Sequence, residues 1–350
     1  MIIKHMFNAV DTHCGEPGRV ITGGMPHIPG NSVYEKMLWM EKNIDEIRLL
    51  MLREPRGYPP ANCNIIVPPC DPKAQAGYLI LEQVEYVMMS GSNTISVATV
   101  LLETGMIPMK EPVTEIILEA PAGLIAIRAE CKDGKVTNVK FKNVPAFAVY
   151  LDKEIEVPHL GRVTVDVAWG GMFYVIADVR QFKGLEISPR FGHEITRVGA
   201  MIRQAAIEQL PVSHPEYPGV GISISQLSGP TDNSGADWKN AVIVANSELD
   251  WDRPETWTGA IDRSPCGTGT CAKMATLHAK GKLPLNKPFR HEGILGTVFT
   301  GELLEETTID KKPAVVPTIS GQAWITGYNT LVVDATDPFP TGFTVGDIWA

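Results

Sequence analysis

"SGSNTISVATVLLETGMIPMKEP" (residues 90–112) and "CGTGTCAKMATLHAKGKLPLNKP" (residues 266–288) fit one pattern without a gap. Gly91 falls on Gly267, Thr94 on Thr270, Leu101 on Leu277 and Gly105 on Gly281, while Pro108 and Pro112 fall on Pro284 and Pro288. These are the positions that backbone geometry constrains most. Helical periodicity runs over 92–104 and 268–280, Gly105 and Gly281 stand where a helix C-cap belongs, and the prolines prevent continuation. A chain that repeats such a unit at long range reads as a duplicated domain.

A second match lies upstream, "DTHCGEPGRVI" (11–21) against "DVAWGGMFYVI" (166–176). Asp11, Gly15, Val20 and Ile21 recur there as Asp166, Gly170, Val175 and Ile176. The offset is 155 here against 176 for the first pair, so the second half carries 21 extra residues. The Asp-, Trp- and Pro-rich stretch 230–260 is where we expect them. A length of 350 residues suits two domains. The expected division is 1–160 and 161–335, with the C-terminal segment 336–350 free to rejoin the first domain.

Between the matched points the chain reads as strands with few helices. Alternation or β-branched runs mark 76–89, 115–130, 135–144, 239–246, 294–306 and 321–334, and Asp133-Gly134 marks a tight hairpin. Further helical periodicity appears in 33–53, with Ser32 as N-cap, and in 193–209. The class is therefore α+β: two mostly antiparallel, curved sheets, each holding one motif helix.

The composition narrows the function. A net charge of −9 opposes nucleic acid and anionic membrane as partners, since both require a basic face. No apolar run reaches the roughly 18 residues of a membrane span. The opening "MIIKHMFNAVDTH" turns polar too soon for a signal peptide, and a cytoplasmic protein is expected. The cysteines at 14, 63, 70, 131, 266 and 271 form no C-x-x-C pair, and no H-x-x-x-H occurs, so neither a metal site nor disulfides are expected. Cys14, Cys63, Cys70, Cys131 and Cys271 read as small buried hydrophobes.

The chemistry sits at the heads of the two repeated helices. A Ser/Cys-Gly-x-x-Thr stretch entering a helix presents unpaired backbone N–H groups and the positive end of the helix dipole, which together suit a small anion such as a carboxylate. "GTGTCAK" lacks the G-K-[ST] ending of a nucleotide-binding P-loop. A cysteine at a helix N-terminus has its pKa lowered from about 8.5 into roughly 3.5–7.5. Cys266 is thus a candidate thiolate, and beside a clamped carboxylate it is placed to remove an α-proton. Asp262, four residues earlier, is a candidate partner for a substrate amine, although it also reads as a turn or cap aspartate. A binding module that holds the same ligand without turning it over is the rival reading.

"DTHCGEPGRV", "MSGSNT" and "DRSPCGTGT" together resemble the proline racemase family, over nearly the whole chain. The resemblance implies the diaminopimelate epimerase-like fold: two pseudo-symmetric domains, each a curved sheet around a central helix, with the active site in the cleft between them. It implies Ser90 and Cys266 as the catalytic pair, Gly91, Ser92, Gly267 and Thr268 as the carboxylate-holding positions, and Asp262 at the ring nitrogen. It implies a cyclic imino acid substrate, no cofactor and no metal, and it allows a homodimer. Members usually carry Met-Cys-Gly-His-Gly-Thr in the first motif. Here Ser90 replaces that cysteine, Ser92 the histidine and Asn93 the second glycine, and "HCGEP" is one residue shorter than the usual His-x-Gly-Gly-Glu-Pro. In the family Cys/Cys pairs go with racemases and 4-hydroxyproline 2-epimerases, Cys/Thr pairs with dehydratases, and Ser/Cys members with either or both activities. A single thiol favours a reaction that needs one strong base. The expectation is therefore trans-3-hydroxy-L-proline dehydratase, with 4-hydroxyproline 2-epimerase second and proline racemase behind both.

Overall fold

The computed structural model describes residues 3–349 apart from 246 and 347. Contacts divide them into two compact units: one runs to Phe141 and resumes over Gly321–Trp349, and the other is Lys142–Ser320.

The first unit comprises β1 (Ile3–His13), β2 (Pro17–Gly23), α1 (Val33–Asn43), α2 (Glu46–Leu52), β3 (Asn62–Val67), β4 (Ala76–Leu81), β5 (Tyr86–Val87), α3 (Gly91–Glu103), β6 (Val113–Ala120), β7 (Gly123–Lys132) and β8 (Lys135–Lys142). The second comprises β9 (Phe147–Val157), β10 (Gly161–Trp169), β11 (Phe173–Asp178), α4 (Gly192–Gln209), β12 (Ile222–Gly229), β13 (Trp238–Val244), β14 (Ala260–Ile261), α5 (Gly267–Ala279), β15 (Phe289–Glu292), β16 (Val298–Ile309) and β17 (Lys312–Gly321). The last strand, β18 (Trp324–Asp334), belongs to the first unit.

Strand senses repeat from one unit to the other. In the first, β18–β1–β2 pair antiparallel, β2–β3 parallel, β3–β4 antiparallel, β4–β6 parallel and β6–β7 antiparallel. In the second, β9–β10–β11 pair antiparallel, β11–β12 parallel, β12–β13 antiparallel, β13–β15 parallel and β15–β16 antiparallel. The duplication seen in sequence is thus a duplication of topology. Within each unit the sheet holds one buried helix: α3 touches β1, β2, β3 and β18, and α5 touches β9, β10, β11 and β16. Every residue of α3 from Gly91 to Leu102 is buried, which is what a helix without a polar face requires.

Sequence spacing drew the domain line at 160 and 335; the strand ladders draw it at 141 and 320. Residue 160 falls in the turn of the β9–β10 hairpin, whose ladder runs from Gly161↔Val157 to Trp169↔Phe147. β18 in turn lies along the whole of β1, from Ile3↔Asp334 to His13↔Trp324. β18 thus rejoins the first unit after the whole of the second, whereas β9 is contiguous with β10 inside its own unit.

Local expectations met mixed outcomes. Ser32 caps α1 through its side chain, which accepts from Glu35 N–H at 3.0 Å. Asp133 and Gly134 both take positive φ in the β7–β8 turn. Gly281 closes α5 at φ 67, with its N–H on the His278 carbonyl and that of Lys282 on Leu277. The helix expected over 33–53 is two helices, broken where Ile44 leaves helical geometry at φ −144 and ψ 36. The insertion expected in 230–260 is dispersed. Residues 82–85 join β4 to β5 but 245–259 join β13 to β14, a difference of eleven of the 21. Part of the remainder lies between β11 and β12, which α4 spans. Gly170 is a packing necessity: a Cβ there would sit 2.2 Å from the Thr268 carbonyl oxygen.

Candidate active site

In the second unit Cys266 is the N-cap of α5, with φ 58 and ψ 107. A side chain at positive φ is strained by on the order of 1–3 kcal/mol, and the surroundings must hold it. Cys266 N–H donates to Ser264 Oγ at 3.0 Å, and Thr270 N–H donates to the Cys266 carbonyl at 2.9 Å. Ser264 N–H donates in turn to Asp262 Oδ1 at 2.7 Å, and Asp262 N–H to the Val242 carbonyl at 2.9 Å. Asp262 is therefore both a turn aspartate and a neighbour of the thiol.

The sulfur is ringed by polar groups. Gly269 N–H donates to Sγ at 3.4 Å, the Tyr174 hydroxyl lies 3.3 Å away, and Thr268 Oγ1 lies 3.9 Å away. Tyr174 and Thr268 also share a hydrogen bond of 2.6 Å. Below this turn Thr270 Oγ1 meets His291 Nδ1 at 2.8 Å and donates to the Pro265 carbonyl at 3.2 Å. The Asn240 side-chain amide donates to the same carbonyl at 2.9 Å.

Electrostatics differ from the sequence expectation. Position at a helix N-terminus predicts a thiol pKa below the ordinary value, yet Cys266 lies well above it. Burial is the main cause and the Asp262 carboxylate the second, and together they outweigh Tyr174 and the Gly269 amide. Burial also raises Asp262, against the opposing pull of Ser264 and of the Cys266 thiol.

In the first unit Ser90 is the N-cap of α3, with ordinary extended geometry at φ −138 and ψ 126. Its side chain does not cap the helix, which leaves the first-turn amides without an intrahelical acceptor. The Asn93 side chain donates to Ser90 Oγ at 2.9 Å, and Ser92 Oγ lies 3.3 Å away. Asn93 leads inward: its Oδ1 accepts from Asn64 at 2.6 Å, its Nδ2 donates to Asn62 Oδ1 at 3.4 Å, and Asn62 donates to Glu16 at 3.1 Å. Ser90 thus receives a hydrogen bond rather than losing a proton to a base. Thr94, counterpart of Thr270, anchors the turn through the Ser90 carbonyl at 2.7 Å and Tyr78 at 2.6 Å. The Cys14 thiol donates to the Ser92 carbonyl at 3.6 Å.

The structure thus gathers Asp262, Cys266, Gly267 and Thr268 at one helix head, and Ser90, Gly91 and Ser92 at another. Sequence reasoning missed Ser264, Tyr174 and Asn93. Ser264 and Asn93 were within the quoted motifs, but Tyr174 carried no signal, because its repeat partner is Arg19, which pairs with Asp11 at 2.8 Å. Among the described residues no three His, Cys, Asp or Glu side chains gather as a metal-holding group, and no helix is long and apolar enough to cross a membrane.

Known proteins resemble this chain throughout. The family model described as Proline racemase matches residues 9–344. A proline racemase of Clostridioides difficile is 38% identical over 345 residues, 98% of this chain and 99% of that protein. The crystal structure of a hydroxyproline epimerase from Agrobacterium vitis, with bound trans-4-hydroxy-L-proline, superposes with a TM-score of 0.92 at 36% identity, covering 100% of this chain and 98% of that one. A probable proline racemase from Agrobacterium radiobacter K84, with bound carbonate, gives 0.90 at 37% identity over 98% of both chains. A Bacillus anthracis phenazine biosynthesis protein of the PhzF family, at 10% identity and a TM-score of 0.55, covering 93% of this chain and 99% of its own, shares the fold alone.

Proposed function

This chain belongs to the proline racemase family, and from that premise we propose that it dehydrates trans-3-hydroxy-L-proline to Δ1-pyrroline-2-carboxylate. The observation that carries the reading is the inequality of the two helix heads. Cys266 offers a thiol under strain, ringed by hydrogen-bond donors, whereas Ser90 accepts a hydrogen bond from Asn93 and among the described residues has only the Ser92 hydroxyl beside it as a further hydrogen-bond neighbour.

In this reading the substrate carboxylate takes the amides of Gly91, Ser92, Gly267 and Thr268, and its ammonium pairs with Asp262. That pairing cancels the negative charge that helps to hold the proton on Cys266, so substrate binding favours the thiolate. The thiolate removes the α-proton. In trans-3-hydroxy-L-proline this hydrogen and the 3-hydroxyl occupy the same ring face. The new thiol can therefore pass its proton to the departing hydroxyl as the carbon–oxygen bond breaks. Water leaves, the thiolate is restored, and the enamine tautomerises to the ring imine. Neither a redox partner nor a second base enters the balance.

A second reading, 4-hydroxyproline 2-epimerase, is supported by the resemblance to the epimerase from Agrobacterium vitis. It requires a proton delivered from the opposite face, for which Ser90 would serve as donor; proline racemase stands behind both. Incubation with proline, trans-3-hydroxy-L-proline and trans-4-hydroxy-L-proline separates them, following ring-imine formation, optical rotation and exchange of the α-hydrogen in deuterated water. Ring imine from the 3-hydroxy compound is expected. Rotation change of the 4-hydroxy compound without imine would replace the dehydratase reading by the epimerase one. No exchange with any of the three would leave a binding module.

A further inference from the structure

Gln226, on β12, is fully buried, and neither its Oε1 nor its Nε2 has a hydrogen-bond partner among the described residues. Leaving both ends of a buried amide unpaired is costly, and a core position would be better served by an apolar side chain. The surroundings show what it lies beside. A Cβ added to Gly269 would sit 2.6 Å from Gln226 Oε1, 3.1 Å from Cys266 Sγ and 3.2 Å from the Tyr174 ring. The amide, the thiol and the tyrosine thus crowd one point beneath the first turn of α5, made possible by the missing side chain at 269.

We propose that Gln226 is the interior polar partner of Cys266, turning its amide so that Oε1 or Nε2 faces the sulfur according to whether the sulfur carries its proton. The oxygen and nitrogen of such an amide are assigned by their partners, and here neither has one, so a half-turn breaks no existing bond. With Nε2 inward, Gln226 joins Tyr174 and the Gly269 amide as a third donor to the thiolate. The titratable and charged groups around the sulfur are Asp262, with Arg263 acting on it, and Tyr174; His291 lies one residue removed, through Thr270. Gln226 carries no charge, so it can favour the thiolate without attracting the substrate carboxylate away from the helix amides. Buried as it is, it acts through Cys266 and is a positioning residue. The inference rests on the reading of Cys266 as the base, but it is tested on the thiol alone.

The test is the rate of iodoacetamide alkylation at Cys266, resolved by peptide mass spectrometry, as a function of pH in the substrate-free protein. Gln226→Met keeps the length of the side chain and removes its polarity; Gln226→Glu adds a negative charge. Both should move the alkylation midpoint to higher pH, Glu further than Met, and below the midpoint Met should slow alkylation about tenfold, as loss of one hydrogen bond to a charged group implies. The Met variant should melt no lower than the parent, since an unpaired amide has gone. A merely structural glutamine would change the melting temperature and leave the pH profile in place. Midpoints unchanged in both folded variants would overturn the proposal. Turnover that persists in Cys266→Ser would instead overturn the base reading, and the alkylation profiles would still decide the role of Gln226.

Discussion

Asp262 has no counterpart in the first half of the chain. Only Met88 and Met89 separate β5 from Ser90, whereas Asp262 to Pro265 separate β14 from Cys266. The extra residues bring a carboxylate beside the thiol, and its two effects oppose each other: it attracts a cationic substrate and it disfavours the thiolate. Asp262→Asn should therefore lower the Cys266 thiol pKa, seen as faster iodoacetamide alkylation near neutral pH, while KM for the imino acid rises. Slower alkylation would contradict the sign of that interaction. Cys266→Ser should reduce turnover by roughly 10²–10⁴-fold, the usual contribution of a positioned general base. At Ser90 the ratio of two activities is the informative quantity. Ser90→Ala should cut epimerisation more than dehydration, and Ser90→Cys should raise the epimerase-to-dehydratase ratio. Equal losses of both in Ser90→Ala would remove the asymmetric mechanism. The motif residues were legible because glycine spacing and helix heads leave a sequence signature; the sulfur's surroundings were not. Tyr174, Asn93 and Gln226 reach their partners only once strands and helix are packed, and burial, which overrides the helix dipole at Cys266, cannot be read from spacing.

At the level of elements, the first turn of α5 is tied to β15 through His291, and β13 holds both that histidine and the turn before the helix through Asn240. His291 on β15 meets Thr270 at 2.8 Å and Asn240 at 3.4 Å, and is fully buried. Burial is the main cause that pushes its pKa down to about 3, with Lys273 adding to it. The folded protein therefore refuses a proton that the unfolded chain accepts at the ordinary value of about 6.5. Stability is complete above that value, falls as pH drops from about 6.5 towards about 3, and stops falling from this source below. His291→Asn should reduce the acid-side slope of stability against pH by close to one proton, measured by denaturant melts across that range. An unchanged slope would mean that the imidazole titrates freely in the folded state. A dry face did not make every element legible: β10 buries Val163, Val165 and Val167 in alternation yet lies in none of the marked stretches. The motif helices lie within a residue of their expected bounds, at Gly91–Glu103 and Gly267–Ala279. β9 escaped notice because most of its residues face solvent, so its polar run "YLDKEIE" carries no alternation. The break in 33–53 was hidden because apolar periodicity continues across Ile44 while the backbone does not.

Over the whole molecule, duplication was visible in the sequence and the borders of the two units were not. The borders are set by ladders: β1 pairs with β18, distant in the chain, and β10 pairs with β9, its hairpin neighbour before the expected boundary. A cut after residue 160 therefore leaves one fragment without β18 and the other without β9. Fragments 1–160 and 161–350 should each fail to melt cooperatively alone, and should recover ordered sheet when produced together, as circular dichroism would report. Cooperative melting of 1–160 by itself would show that β18 is dispensable to the first unit.

The pairing of β1 with β18 sets a timetable for synthesis. β1 leaves the ribosome long before its partner β18, which ends at Asp334. At roughly 5–20 residues per second, the edge of β1 waits about 15–60 s for the strand that covers it. Throughout that interval a row of backbone donors and acceptors is open to any other extended chain. The gene order of this duplicated protein thus obliges the nascent polypeptide to guard β1 until β18 emerges, and crowded polysomes are where that guard would be tested.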